Sequence, residues 1–182
     1  MDLQIVPCAK ITLAKYATID QMRRHSSPFE RISFMPKRIL YCTDFSHNSL
    51  PARGYAIEFA RAFDAELIVL HVVNTKQIGF PSLESVPADM EQQLLEIQKS
   101  AEKALQLLEK ELSRSVDNVQ SRLRTGTPFY EIVKCASDEA ADLIIMGTHG
   151  RTGFPHLIIG STAENVVRTS QIPVLTVKSS LQ

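Results

Sequence analysis

Asp142-Leu-Ile-Ile-Met-Gly-Thr-His-Gly150, followed after nine residues by Gly160-Ser-Thr162, is the stretch on which the fold turns. Its first half is short, apolar and β-branched and is ended by Gly147, which predicts a core strand of a parallel sheet over Asp142 to Met146. Ser161-Thr-Ala-Glu-Asn-Val-Val-Arg168 places a hydroxyl ahead of Glu164, a capping-box arrangement that predicts a helix start. A glycine turn opening onto a helix N-terminus suits an anion: backbone N–H groups and the helix dipole point toward it, and glycine lets the main chain approach closely. Ser161 and Thr162 add hydroxyl donors. Glycines also punctuate strand-to-helix turns for backbone reasons alone. The spacing is neither a Walker A loop nor a Gly-x-Gly-x-x-Gly fingerprint, so the surrounding chain has to decide.

Working outward, Arg38 to Cys42 reads as a strand and Asp44-Phe-Ser46 as the turn after it. A helix is expected from about Asn48 to Phe63, with Pro51 tolerated in its first turn. Glu66 to Val73 is nearly continuous in apolar residues, as strands covered on both faces are. Asn74 to Pro87, with Gly79 and two prolines, reads as a loop long enough to act as a lid. Ala88 to Arg114 carries Met90, Leu94, Ile97, Ala101, Leu105, Leu108 and Leu112 at helical steps, a stripe expected to face the core as a crossover helix, with a coiled-coil seam as the competing interpretation. Val119 to Arg124 is a further strand. Thr127 is expected to cap a helix that has Pro128 in its first position and runs to about Glu139. Ile172 to Val177 is the last strand, its early proline suiting a strand start or an edge. The resulting β-α-β-α-β-α-β-α-β order predicts an α/β fold: a parallel sheet with helices on both faces and right-handed crossovers.

The 182 residues, 44% of them hydrophobic, suit one soluble domain with a core. Twenty basic and twenty acidic side chains cancel, which gives no electrostatic reason to expect nucleic acid or an anionic membrane as partner. Three dispersed cysteines, Cys8, Cys42 and Cys135, suggest neither a disulfide framework nor a zinc site, and a reducing cytoplasm fits them. No apolar run approaches the roughly 20 residues of a membrane-spanning helix, and the N-terminal stretch makes a poor signal peptide. Residues 1–34 differ in texture from the rest, with Ser26-Ser-Pro28 as a breaker, and are expected to be an extension to a domain over 35–182. Leu3 to Ile19 can form an amphipathic helix, or the segment can be an upstream start ahead of a beginning near Met35.

In open α/β sheets a ligand binds beyond the carboxyl ends of the strands, where strand order reverses. With the first strand beside the fourth, the Cys42-Thr-Asp44 turn would face the loop between Gly147 and Gly160. Asp44 can accept a hydrogen bond from a base amino group, help hold a divalent cation, or be an Asx-turn residue at the first helix. His149 can donate to a phosphate or brace its turn, and Arg151 can reach a phosphate or remain solvated. His71, inside an apolar strand, reads as a satisfied core residue, and His25, His47 and His156 lack metal-ligand spacing. Cys42 reads as a small buried hydrophobe without a base to activate it.

Lys37-Arg-Ile-Leu-Tyr-Cys-Thr-Asp-Phe-Ser46, Leu70-His-Val-Val73, Ile145-Met-Gly-Thr-His-Gly-Arg-Thr-Gly153, Gly160-Ser161 and Pro173-Val-Leu-Thr-Val177 together resemble the universal stress protein family over about Pro36 to Lys178. The spacing Gly-x2-Gly-x9-Gly-Ser is the one that, in this family, separates the ATP-binding branch from members lacking nucleotide. The resemblance implies a five-stranded sheet of order 3-2-1-4-5, a Rossmann-like fold of the adenine nucleotide alpha hydrolase-like kind. It also implies ATP in the crevice, with Mg2+ or Mn2+ carried by the nucleotide, and homodimers paired through the last strand. Position by position, it sets adenine near Asp44 and the backbone of Val72, and ribose near Cys42 and Gly147. Phosphates fall at Gly150, Gly160, Ser161, Thr162 and Ala163, with Thr43, Met146 and His149 lining the pocket. Two departures stand out: Cys42 where the family often has proline or another small residue, and the N-terminal extension. The function expected is that of a cytoplasmic, ATP-binding stress-response regulator with slow or no turnover and a protein partner the sequence does not name. A hydrolase or nucleotidyl-transferring enzyme is the first alternative; it lacks a P-loop lysine, a His-x-Gly-His motif and a Ser-Gly-Gly-x-Asp-Ser loop. A dimeric interaction module without nucleotide is the second.

Overall fold

A computed structural model describes residues 34–75, 91–148 and 159–178. The N-terminal extension, most of the expected lid, the first residues of the long helix, and His149, Gly150 and Arg151 lie outside the described residues. The strands are β1 (Arg38–Cys42), β2 (Glu66–Asn74), β3 (Val119–Gly126), β4 (Leu143–Gly147) and β5 (Val174–Val177). The helices are α1 (Leu50–Phe63), α2 (Glu91–Leu112), α3 (Pro128–Asp138) and α4 (Ser161–Thr169). All strand pairs are parallel and the sheet order is β3-β2-β1-β4-β5, as the resemblance implied.

Alternation along each strand splits the core in two. Ile39, Tyr41, Leu67, Val69, Leu143 and Ile145 face one way, where they meet Ala52, Ala56 and Ala60 of α1 and Leu105 and Leu112 of α2. Leu40, Ile68, Leu70, Ile144 and Met146 face the other way, against Ile132, Cys135 and Ala136 of α3 and Ala163 and Val166 of α4. Both faces are therefore covered, which is why β1, β2 and β4 read as nearly unbroken apolar runs, while the edge strand β3 does not. The three alanines of α1 recur every fourth residue and present a flat face to the central strands.

Several boundaries differ from expectation for local reasons. A 3-10 turn at His47–Ser49 precedes α1, and Asp64 in the left-handed conformation (φ 50°) ends it. Asp142 sits before β4 rather than in it: its Oδ2 accepts from the Lys37 and Arg38 amides at 2.7 and 2.9 Å, pinning β1 beside β4. Thr127 occupies the N-cap of α3 without a side-chain cap bond, contrary to the expected cap. The stripe of α2 is only partly core: Leu94, Leu105 and Leu112 are buried, whereas Ile97 and Ala101 line a cavity. This helix packs on β2 and β3, which settles it as a crossover rather than a coiled-coil seam.

Edge strand β3 carries Arg122 and Arg124. Arg122 forms a two-pronged pair with Glu139 (Nε–Oε1 2.6 Å, NH2–Oε2 3.0 Å), and Arg124 pairs with Asp138 at 3.0 Å. Hydrogen bonding from Arg122 holds the Glu139 carboxyl below its ordinary 4.5. A carboxylate whose value is depressed on folding adds stability above its unfolded value, and loses it as pH falls through the folded one. Urea midpoints should therefore fall as pH drops below about 4.5, and Glu139→Gln should flatten that segment of the profile; a profile of unchanged slope in the variant would assign the acid sensitivity elsewhere.

Candidate functional site

Pairing between β1 and β2 ends at Cys42 and Leu70, while β2 runs on to Asn74. The central strand is thus shorter than its neighbour, and the sheet opens at its carboxyl end, between β2 and β4, where the strand order reverses. A cavity of about 450 Å³ occupies the opening, within the usual range for a small-molecule site.

The turn after β1 forms its floor, and Thr43 is the knot of that turn. The Thr43 amide donates to Leu70 O at 2.9 Å, its Oγ1 accepts from the Phe45 amide at 3.0 Å, and Oγ1 lies 3.1 Å from Ser49 Oγ. The Thr43 carbonyl lies 2.8 Å from His71 Nδ1; a carbonyl only accepts, so Nδ1 carries the proton. Asp44 Oδ1 accepts from the amide and hydroxyl of Ser46 at 3.0 and 2.6 Å. Asp44 is therefore an Asx-turn residue, one of the three expected readings, and it also lines the cavity. Phe45 follows at φ 60°, with its ring centroid 4.4 Å from that of His71.

The end of β2 forms the second wall. Glu66 donates to Lys37 O and Leu70 accepts from Thr43, so the even-numbered residues of β2 turn their peptide groups toward β1; Leu67 donates to Asn118 O, so the odd ones turn toward β3. Val72 belongs to the first set but lies beyond the last β1 partner. Its N–H and C=O accordingly point into the space that β1 has left.

The third wall is the start of α4. Thr148 continues the β4–β5 ladder through a 2.9 Å bond to Val177 O, and its carbonyl takes the Gly160 amide at 2.7 Å. Gly160 is the N-cap, and the first helical bond runs from Glu164 N to Gly160 O at 3.0 Å. The expected capping box does not form. Ser161 lies one position inside the helix, the N-cap is a residue without a side chain, and Glu164 pairs with Arg168 at 2.7 Å instead of reaching back. The amides of Ser161, Thr162 and Ala163 precede the first intrahelical bond, at the positive end of the helix dipole.

Ten of the twelve residues expected at the site line this cavity: Cys42, Thr43, Asp44, Val72, Met146, Gly147, Gly160, Ser161, Thr162 and Ala163. His149 and Gly150 lie outside the described residues. Phe45 and His71 also line it and were missed as site residues. His71 is buried, as expected of a core residue, and serves the cavity as well. The opposite wall is the face of α2 bearing Ile97, Ser100, Ala101 and Ala104, whose small side chains leave the volume open. The interruption of the large-residue stripe at Ser100, Ala101 and Ala104 was the signal for this wall. Among the described residues no group of three or more His, Cys, Asp or Glu can hold a metal, and no helix is long and apolar enough to cross a membrane.

A parallel sheet of this order with a crevice at its reversal point defines the doubly wound, Rossmann-like class. Residues 35–178 match the profile of the Universal stress protein family, and the chain belongs to that family. Universal stress protein MJ0577 of Methanocaldococcus jannaschii is 35% identical over 158 residues, covering 81% of this chain and 98% of that protein. Its solved structure, described as that of hypothetical protein MJ0577, superposes with a TM-score of 0.64 at 31% identity, covering 81% of this chain and 99% of that one. The same fold recurs in a universal stress protein in complex with cAMP (TM-score 0.54, 23% identity, 80% and 99% covered). It recurs again in one from Archaeoglobus fulgidus in complex with dAMP (TM-score 0.57, 20% identity, 79% and 99% covered).

Cys42 and Cys135 are both buried, and burial pushes both thiols up, Cys42 far up. Neither is poised as a nucleophile at neutral pH. With Cys8 replaced by serine, a thiol reagent at pH 7.5 should label the native protein at least about 100-fold more slowly than the unfolded chain; labelling of Cys42 as fast as in the unfolded chain would show it to be an accessible thiolate.

Proposed function

We propose that this universal stress protein binds an adenine nucleotide, ATP with Mg2+ or Mn2+ carried on its phosphates. On this proposal, occupancy of the cavity tunes a homodimer toward a protein partner in a stress response, with slow or no turnover. The carrying observation is a single cavity whose two ends differ in chemistry. At one end, unsatisfied helix amides and the Ser161 and Thr162 hydroxyls of α4 suit a phosphate chain. At the other, Phe45, His71 and the outward peptide of Val72 suit a flat heterocycle. A peptide N–H beside a C=O complements the ring acceptor and amino donor on one edge of adenine. Asp44 belongs with Val72 at the proposed adenine end, Cys42 and Gly147 stand at the proposed ribose position, and Thr43, Met146 and Ala163 complete the lining. As a carboxylate, Asp44 can accept a hydrogen bond from the base amino group or help hold a cation. His149 and Gly150 belong to the same proposed site by their place in the Gly-x2-Gly-x9-Gly-Ser spacing.

Family membership supports the class of ligand. The relatives solved with cAMP and dAMP share the fold at 20 to 23% identity, so the weight falls on the cavity of this chain. Among the described residues, no lysine or arginine lines the cavity to stabilise a transferring phosphoryl group, which favours holding the nucleotide over consuming it. The proposed homodimer pairs edge to edge through β5, which ends the sheet.

Denaturing the purified protein and identifying what it releases by chromatography and mass spectrometry tests the ligand, with phosphate release followed in parallel. ATP in the supernatant and negligible phosphate production are expected; an empty supernatant together with no ATP binding in solution would overturn the proposal, and steady turnover would make the protein a hydrolase. Gly160 has φ −72° and ψ 154°, extended backbone that any residue adopts, so Gly160→Asp introduces a carboxylate at the phosphate end without backbone strain. Calorimetry should record a loss of ATP affinity of at least about 100-fold from like-charge repulsion, with the thermal midpoint little changed.

A further inference from the structure

We propose that His71 is a positioning residue for the base end of the cavity: it holds the Thr43 carbonyl off the β2 ladder, so that the Val72 amide is presented to the ligand. The ligand part of this inference rests on the adenine assignment above; the part concerning the backbone does not.

Regular parallel pairing dictates what the chain would otherwise do. After the bond from Thr43 N–H to Leu70 O, the next rung joins Val72 N–H to Thr43 O. That rung is missing. The oxygen it would use is taken by His71 Nδ1–H at 2.8 Å, from a side chain only one residue before Val72. The imidazole thus substitutes for the backbone donor and ends β1 pairing one step early. The Val72 amide, aimed the same way as its even-numbered neighbours, is left facing the cavity.

The same ring steadies the rest of the turn. Phe45 adopts φ 60°, an uncommon conformation for an aromatic residue, held by the Thr43 Oγ1 bond on one side and by the His71 ring at 4.4 Å on the other. One side chain therefore sets both a polar and an apolar element of the base end, while the α4 end is built from β4, β5 and Gly160 without it.

The test compares wild type with His71→Ala and His71→Asn. The asparagine amide can donate to Thr43 O in place of Nδ1 but cannot stack on Phe45. In ligand-free protein, hydrogen exchange by NMR should find the Val72 amide at least about tenfold slower in His71→Ala than in wild type, because the released carbonyl recaptures it. Calorimetry should give an ATP affinity about tenfold or more weaker in His71→Ala, largely restored in His71→Asn, with inorganic tripolyphosphate binding unchanged in both. Unchanged Val72 exchange in the alanine variant, or ATP and tripolyphosphate affinities falling together, would overturn the inference. Should wild type bind no ATP, the adenine assignment fails by itself, and the exchange comparison still decides whether His71 interrupts the ladder.

Discussion

The site exists because the strand at the centre of the sheet stops before its neighbour does. β1 gives up its pairing with β2 at Cys42 and Leu70, and β2 continues through Asn74. The two faces of the sheet are closed by apolar packing against the helices, so the early end of β1 is what opens this cavity. The early stop depends on Thr43, which spends its amide on Leu70, its hydroxyl on Phe45 and Ser49, and its carbonyl on His71. A threonine supplies all of this from one position, while the adjacent Asp44 fastens the next residues through its own short loop with Ser46.

Around that gap the packing is asymmetric in a way that shapes the cavity. The face covered by α1 is closed by small alanines seated on Tyr41 and Ile145. The crossover α2 changes character along its length: Leu105 and Leu112 anchor it, and Ser100, Ala101 and Ala104 stand clear of the opening. On the far side α4 is tied to the sheet through Gly160 and Thr148, so its uncapped start is held against β4. A rigid sheet end thus sets the spacing between the two chemically different halves of the pocket.

Much of this was legible in the residues. The unbroken apolar strands and helical stripes carried the β-α alternation, because hydrophobic period follows burial on one face or two. Strand order came from the family resemblance, since alternation alone does not say which strand lies beside which. The expected capping box failed through competition. Ser161 and Glu164 have the spacing of a capping box, but Gly160 is bonded to Thr148 and so becomes the N-cap, and Glu164 finds Arg168 one turn on. His71 was understood as core and is core, yet its role at the cavity depends on where β1 ends, a register property that periodicity does not encode. The wall on α2 was overlooked because Ile97 and Ala101 keep the spacing of the helical stripe, although the drop in side-chain size at Ser100, Ala101 and Ala104 marks the opening.

The two margins of the sheet are unlike, and this bears on how many copies can join. β5 is a short, largely buried apolar strand, whereas β3 carries arginines locked to Glu139 and Asp138. Were two sheets to meet at β5, both outer borders of the combined ten-stranded layer would be β3, and strands bearing fixed charge resist further addition. Growth would then terminate at a pair, so the ion pairs beside β3 would act as a stop against filament formation, even though each is worth little to the stability of a single copy.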